Sequence, residues 1–260
     1  MKARAGGFTQ IELLVAVGLF AIIMTVLAFA LGQTVKVWNH SWGDDESIRE
    51  LRRGRQRLDQ ELSATGFSFL SRADGPTTLV GKDGDALWFL SAHDPATGEF
   101  LVKSDGTPDW SCNVLYYAVC PTNLASFGFT GPGLASGGYE VACPYKVLVR
   151  KVIDSQPGPG ETLLTDVAPY LDAPAGVDTS SLGGPGLVRA EIVCSRLLSF
   201  RVATDDVVGE VSVDLRGVAL RRALREVAVG SLSLESGAYT SQLQFSVFPA
   251  NGGPLATPTP

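Results

Sequence analysis

The strongest pattern in the chain is an unbroken apolar stretch near its start. Leu13 to Leu31 is nineteen residues without a charge, and only Gly18 and Thr25 are not plainly apolar. About 20 such residues in a helix cross the hydrocarbon core of a bilayer. The apolar part of a secretory signal is shorter and ends at a small-residue cleavage site. Gln33-Thr34-Val35-Lys36-Val37-Trp38 offers no such site, and the helical pattern runs on. Ile48, Leu51, Leu58 and Leu62 keep three- and four-residue spacing, with Arg55 in the vacant slot, which extends the predicted helix to about Leu62. From Phe8 to Leu62 it would measure roughly 80 Å at 1.5 Å per residue. Gly54 is a weak point in it and not a stop.

After Gly66 the periodicity shortens. Beta-prone runs alternate with turn clusters at Thr77–Val80, Ala86–Ser91, Val114–Val119, Lys146–Ile153, Leu197–Ala203, Val207–Leu215 and Gln242–Phe248. Ala86-Leu87-Trp88-Phe89-Leu90 is apolar throughout, which suits a strand covered on one side and edged on the other. Gln242 to Phe248 alternates strictly, the mark of a half-buried strand. Val218–Ala228 reads as a short amphipathic helix with Arg221, Arg222 and Arg225 on its polar face. Linkers are predicted at Ser126–Gly138, Ser155–Gly160 and Ala173–Gly186, and a disordered tail at Gly252–Pro260. The abundance of Gly and Pro in the second half agrees with a loop-rich β domain. The expected class is α+β: a long N-terminal helix packed on an antiparallel β-sheet domain with loop insertions.

Charge sets the orientation. Lys2 and Arg4 precede the span with no acid before them, so the positive-inside rule leaves the N-terminus in the cytoplasm and the bulk of the chain outside. Trp38 and Trp42 follow the span, where interfacial aromatics belong. Glu12 stands at the edge of the span, where an unpaired carboxylate is costly. A capping box, Thr9 with Glu12 three residues later, would account for it. A cationic partner would account for it too. A cut after Gly7 would place the new α-amine of Phe8 one helical turn from Glu12.

The net charge of −6 argues against general nucleic-acid binding, which uses a basic face. Arg49, Arg52, Arg53, Arg55 and Arg57 are the one basic cluster; a solvated helix face with acid partners explains it better than phosphate contacts do. The four cysteines, Cys112, Cys120, Cys143 and Cys194, are candidate disulfide formers on the far side of a membrane, with three possible connectivities. At least one bridge is expected, with buried free thiols as the alternative. Their spacing is not that of a zinc site. His93-Asp94 reads as a solvated turn and not as half of a dyad. Asp44-Asp45-Glu46 and Asp205-Asp206 lack the spaced ligands of a calcium loop. No nucleophile elbow, P-loop or zinc-protease motif occurs. No catalytic residue, metal or cofactor is expected, and the chain is not read as an enzyme.

Taken together, the basic leader, Gly7, Phe8-Thr9-Gln10-Ile11-Glu12 and the apolar helix behind them resemble the type IV prepilin cleavage and methylation motif. Gln10 stands where Leu is commoner, and no Pro precedes Pro76, so the helix lacks the mid-span break of many pilins. The resemblance implies cleavage between Gly7 and Phe8 by a prepilin peptidase, N-methylation of Phe8, and pairing of Glu12 with a Phe8 amine during assembly. It further implies other pilins or pseudopilins and an inner-membrane assembly platform as partners. Residues 1–7 are then a leader, 8–35 a transmembrane and filament-core helix, 36–65 its extracytoplasmic half, 66–251 a globular domain and 252–260 a tail. More diffusely, the Leu51-to-Leu62 helix end, the Asp85-to-Phe89 strand and the Phe248-Pro249-Ala250-Asn251 close resemble J-type pseudopilins and W-type minor pilins. The expectation is a minor subunit of a type IV pilus or type II secretion filament at its tip. The alternative is a DNA-uptake or adhesive minor pilin.

Overall fold

A computed structural model describes residues 9–73, 86–127, 146–156, 160–220 and 238–251. It is an α+β chain of pilin-like architecture: a long N-terminal helix, α1 (Gln10–Ser63), precedes a seven-stranded antiparallel sheet. The chain forms two compact units, Met1–Gly43 and Asp44–Pro260. In the first, Gln10–Val35 is long and apolar enough to span a membrane. Its side chains face outward all round: Ile11, Leu14, Phe20 and Phe29 are each more than 60% exposed.

In the second unit the strands follow chain order: β1 (Leu70–Ala73), β2 (Ala86–Ser91), β3 (Cys112–Val119), β4 (Lys146–Ile153), β5 (Leu187–Asp205), β6 (Glu210–Leu220) and β7 (Ala238–Val247). β2 and β4 match the predicted runs. β3 starts two residues earlier than predicted, and β7 begins at Ala238. The run predicted at Thr77–Val80 lies outside the described residues. Val218–Leu220, expected to open a helix, instead continue β6 and pair with Ala238–Thr240 of β7. An alternating ladder partner outweighs the weak helical pattern there. The remainder of that predicted helix lies outside the described residues, as does the tail.

β2, β3 and β4 are buried on both faces. Alternate residues divide between two cores. Leu87, Phe89, Val114 and Tyr116 face the stripe Leu51, Leu58 and Leu62 of α1. Trp88, Leu115, Tyr117 and Val149 face Val167, Tyr170 and Leu182. The second cover is irregular chain, and its polar groups are satisfied by the sheet. Trp88 Nε1 donates to Leu164 O at 2.8 Å, Asn113 Nδ2 to Thr162 O at 2.9 Å, and Tyr117 OH to Asp172 O at 2.8 Å. The buried Lys151 amine pairs with the Asp172 carboxylate and donates to Gly183 O at 2.8 Å. The wholly apolar run Ala86–Leu90 is thus covered on both faces, where one covered face was expected.

β5 is bent. Arg196 has φ +61°, and the register with β6 shifts between Leu197 and Ser199. Before the bend, Glu191 lies by Arg57 and Ser195 by Glu50, so the strand descends along α1. After it, Leu197 pairs with Gly217, beside Ser47 and Leu51, and Phe200 pairs with Leu215, beside Gly54. The second half therefore climbs back. Arg72 of β1 donates to Thr204 of β5 at 3.2 Å across the sheet.

Candidate assembly site at the head of the helix

The first described turn of α1 is a reciprocal cap. Thr9 N and Thr9 Oγ1 both donate to Glu12 Oε2, at 2.9 and 3.0 Å, and Glu12 N donates to Thr9 Oγ1 at 3.4 Å. Two donors that begin a helix without intrahelical partners are satisfied in this way. The cap occupies only one carboxylate oxygen. Glu12 Oε1 accepts no bond among the described residues, and Glu12 is exposed. A carboxylate with one fixed and one open oxygen at the head of an apolar rod has the chemistry to take a cation from a second molecule. Gly7 and Phe8, the expected processing residues, lie outside the described residues. Thr25 and Thr34, the hydroxyls within the span, donate back to Ala21 O and Ala30 O at 2.8 and 2.9 Å, which leaves its surface effectively apolar.

The arginine cluster divides. Arg53 pairs with Glu50 at 3.1 Å and Arg57 with Glu61 at 2.9 Å, while the Arg55 guanidinium sits 5.5 Å over the Phe245 ring. Arg49 and Arg52 are exposed. The partners on the sheet include one that sequence reasoning missed. Arg150, inside β4, holds both oxygens of Glu61 at 2.9–3.0 Å and Glu191 at 3.0 Å. Tyr116 OH donates to Glu61 at 2.6 Å. Burial opposes the Arg150 charge, but the Glu61 carboxylate beside it, with Tyr116 and Glu191, raises its pKa on balance. The one sequence signal for this network was a charge pair, Arg150-Lys151, between the apolar runs Val147–Val149 and Val152–Ile153 of β4.

The remaining candidates are structural. Asp94 Oδ1 accepts from Ala96 N and Thr97 N, at 2.7 and 2.9 Å, and so closes its own turn. Those bonds hold its pKa below the usual carboxylate value. His93 Nδ1 instead lies 3.3 Å from Ser91 Oγ. Asp205 Oδ1 likewise accepts from Val207 N at 2.9 Å. No group of three metal-ligating side chains occurs among the described residues. Of the candidate disulfide cysteines, Cys120 is disulfide-bonded, and Cys143 lies outside the described residues. Cys112 and Cys194 are free and buried, the alternative weighed for these candidates, so the expected bridge rests on Cys120. Both are packed in the core under α1, where a thiol serves as a small apolar group. Burial pushes the Cys112 thiol up to about 11, far from a reactive thiolate.

Comparison with protein-family models, with curated proteins and with solved structures finds no match to this chain.

Proposed function

We propose that this chain is a minor pilin or pseudopilin: a subunit processed by a prepilin peptidase that enters a type IV pilus or type II secretion filament and acts in its assembly. The observation that carries the reading is the head of α1. A half-occupied Glu12 carboxylate caps an apolar rod uncovered on every side, and the rod leads into an α+β unit of pilin-like architecture. Such a rod needs an apolar medium all round. Lipid supplies that before assembly, and the helices of neighbouring subunits supply it afterwards. The open Glu12 oxygen then pairs with the α-amine of Phe8, created by cleavage after Gly7. The N-terminus lies in the cytoplasm and the second unit outside the membrane. Other pilins and the assembly platform are the partners. The size of the second unit, with its second face covered by extra chain, favours a tip position over a repeated place in a crowded shaft.

Support for a nucleic-acid-binding variant of this role is thin. Three of the five clustered arginines already have partners within the fold.

Two measurements test the reading. Mass spectrometry of the chain from a peptidase-competent cell should give an N-terminal methyl-Phe8; an intact Met1 would overturn it. Glu12→Ala should insert in the membrane at normal levels and fail to enter filaments. Undiminished incorporation would leave Glu12 as a helix cap and nothing more.

A further inference from the structure

Among the described residues, the end of the second unit at the C-terminus of α1 gathers most of the exposed large apolar side chains of that unit. Thr65 fixes this end. Its backbone carbonyl accepts from Asn251 N at 3.0 Å, and its hydroxyl donates to Leu90 O at 2.7 Å. The segment after β7 and the end of β2 therefore meet two residues past the helix terminus. The β5–β6 turn lies at the same end, because Val211 pairs with Val247 and Asp205 with Glu210. So does the 92–110 arm, which leaves β2 at Ser91 and rejoins β3 at Cys112, its register partner. On these pieces Phe100, Val102, Val207, Val208 and Phe248 are 43%, 55%, 86%, 47% and 60% exposed. The local folding does not require them outward. The 92–110 arm is held by backbone pairs such as Leu101 N to Ala92 O at 2.7 Å, and the β5–β6 turn by Gly209 N to Asp205 O at 2.9 Å.

Charge is concentrated on the same two pieces. The arm carries Asp94, Glu99, Asp105 and Asp109 against Lys103; the turn carries Asp205, Asp206 and Glu210. Each has a formal charge of −3, so together they match the net charge of the whole chain, −6. Isolated exposed apolar residues need no explanation, but five of them gathered at one end whose arm and turn carry seven acids against one lysine have the composition of an interface.

We infer that this end is a docking surface for a second protein whose contact face is apolar at its centre and basic around it. An anionic lipid surface would be repelled by these acids. A second copy of this chain, end to end, would bring two −3 pairs together and is disfavoured in the same way. The chain's own tail, Gly252–Pro260, has no charge with which to answer the acids. The inference does not depend on filament assembly, since it concerns only the second unit.

The test is site-specific photo-crosslinking of the full chain in its own membrane. A photoreactive residue replaces Val207 or Phe248, and Val177, 61% exposed but on the irregular segment that covers the other core, is the control. Adducts from Val207 and Phe248 and none from Val177 are expected, to one protein whose crosslinked peptide has net positive charge. Joint substitution of Asp205, Asp206 and Glu210 by Lys should cut the adduct roughly tenfold, and acidic substitution within the partner's mapped peptide should restore it. The crosslinkable positions are on the surface, so retention of the native melting temperature separates lost binding from lost folding. Adducts only to lipid, to the chain's own 252–260 segment, to a second copy or to an acidic peptide would overturn the inference. So would equal labelling from Val177. The Glu12→Ala variant distinguishes the two proposals: loss of incorporation with the adduct intact would sustain both.

Discussion

Arg150 is the residue on which the join between α1 and the sheet turns. Its side chain is 9% exposed and is shared between Glu61 of the helix, 11% exposed, and Glu191 of β5. A buried pair costs desolvation of both ions, and its net gain over an apolar pair is small. Removing one partner is different, because it strands the other. Arg150→Ala should therefore lower stability by about 3–5 kcal/mol. Arg150→Met with Glu61→Leu should recover most of the loss, as chemical denaturation of the detergent-solubilised chain would show. A double variant no better than the single would place the loss in packing and not in stranded charge. Cys112 gives a pH prediction. Its folded pKa, about 11, lies above the ordinary 9.0 because of burial. Between those values the folded state keeps a proton that the unfolded state releases. Stability is thus unaffected by this thiol below pH 9.0 and falls as pH rises from there towards 11. Correspondingly, Cys112 and Cys194 should resist iodoacetamide at pH 8 and react on denaturation; native alkylation read by mass would refute their burial.

At the level of elements, the approach of α1 to the sheet is set by two small residues. A Cβ at Gly54 would lie 3.1 Å from Cys194 Sγ, and one at Gly217 would lie 2.4 Å from Ser47 Oγ. Gly54 therefore sits mid-helix for packing, at a helix-propensity cost of about 1 kcal/mol relative to Ala. Gly54→Ala alone should gain little, because the sulfur must give way. In a Cys194→Ala background the same change should stabilise by about 1 kcal/mol, and Gly54→Val should destabilise by about 1–3 kcal/mol in the native background. Equal effects of Gly54→Ala in both backgrounds would remove the sulfur from the explanation. Much at this scale was legible beforehand. The Leu51-to-Leu62 stripe marks the helix face that is buried, and Lys146–Ile153 marks β4 to the residue. What was hidden has a physical reason. The bend in β5 rests on a left-handed Arg196, a conformation that no Gly or Asn announces. The irregular cover of the second face packs through scattered residues such as Val167, Tyr170 and Leu182, without a period to read.

For the whole molecule, the candidate site was legible where chemistry is local and hidden where it is not. Thr9 and Glu12 stand three apart, so their mutual capping follows from spacing alone. The acidic, apolar end of the second unit could not be read that way, because Phe100, Val207 and Phe248 are brought to one end only by strand register. That register belongs to a unit with its own interior. Among the described residues, those of both cores lie at or beyond Leu51. A chain beginning at Asp44 keeps Leu51, Leu58 and Leu62, the Glu50–Ser195 bond at 2.8 Å and the Glu61–Arg150 pair. It discards the uncovered apolar surface that makes detergent necessary. It should be soluble in plain buffer and unfold in one cooperative transition, at a midpoint close to that of the second unit within the full chain. A chain beginning at Gly66 should fail in both respects. It loses three fully buried leucines, each worth about 2–5 kcal/mol when truncated to Ala, against a total stability of about 5–15 kcal/mol. It also exposes the Arg150 side of the sheet with Glu61 gone. Circular dichroism melts and gel filtration of the two fragments decide the matter: a molten Asp44 fragment, or a cooperatively folded Gly66 fragment, would show that the lower half of α1 is not the core element described above.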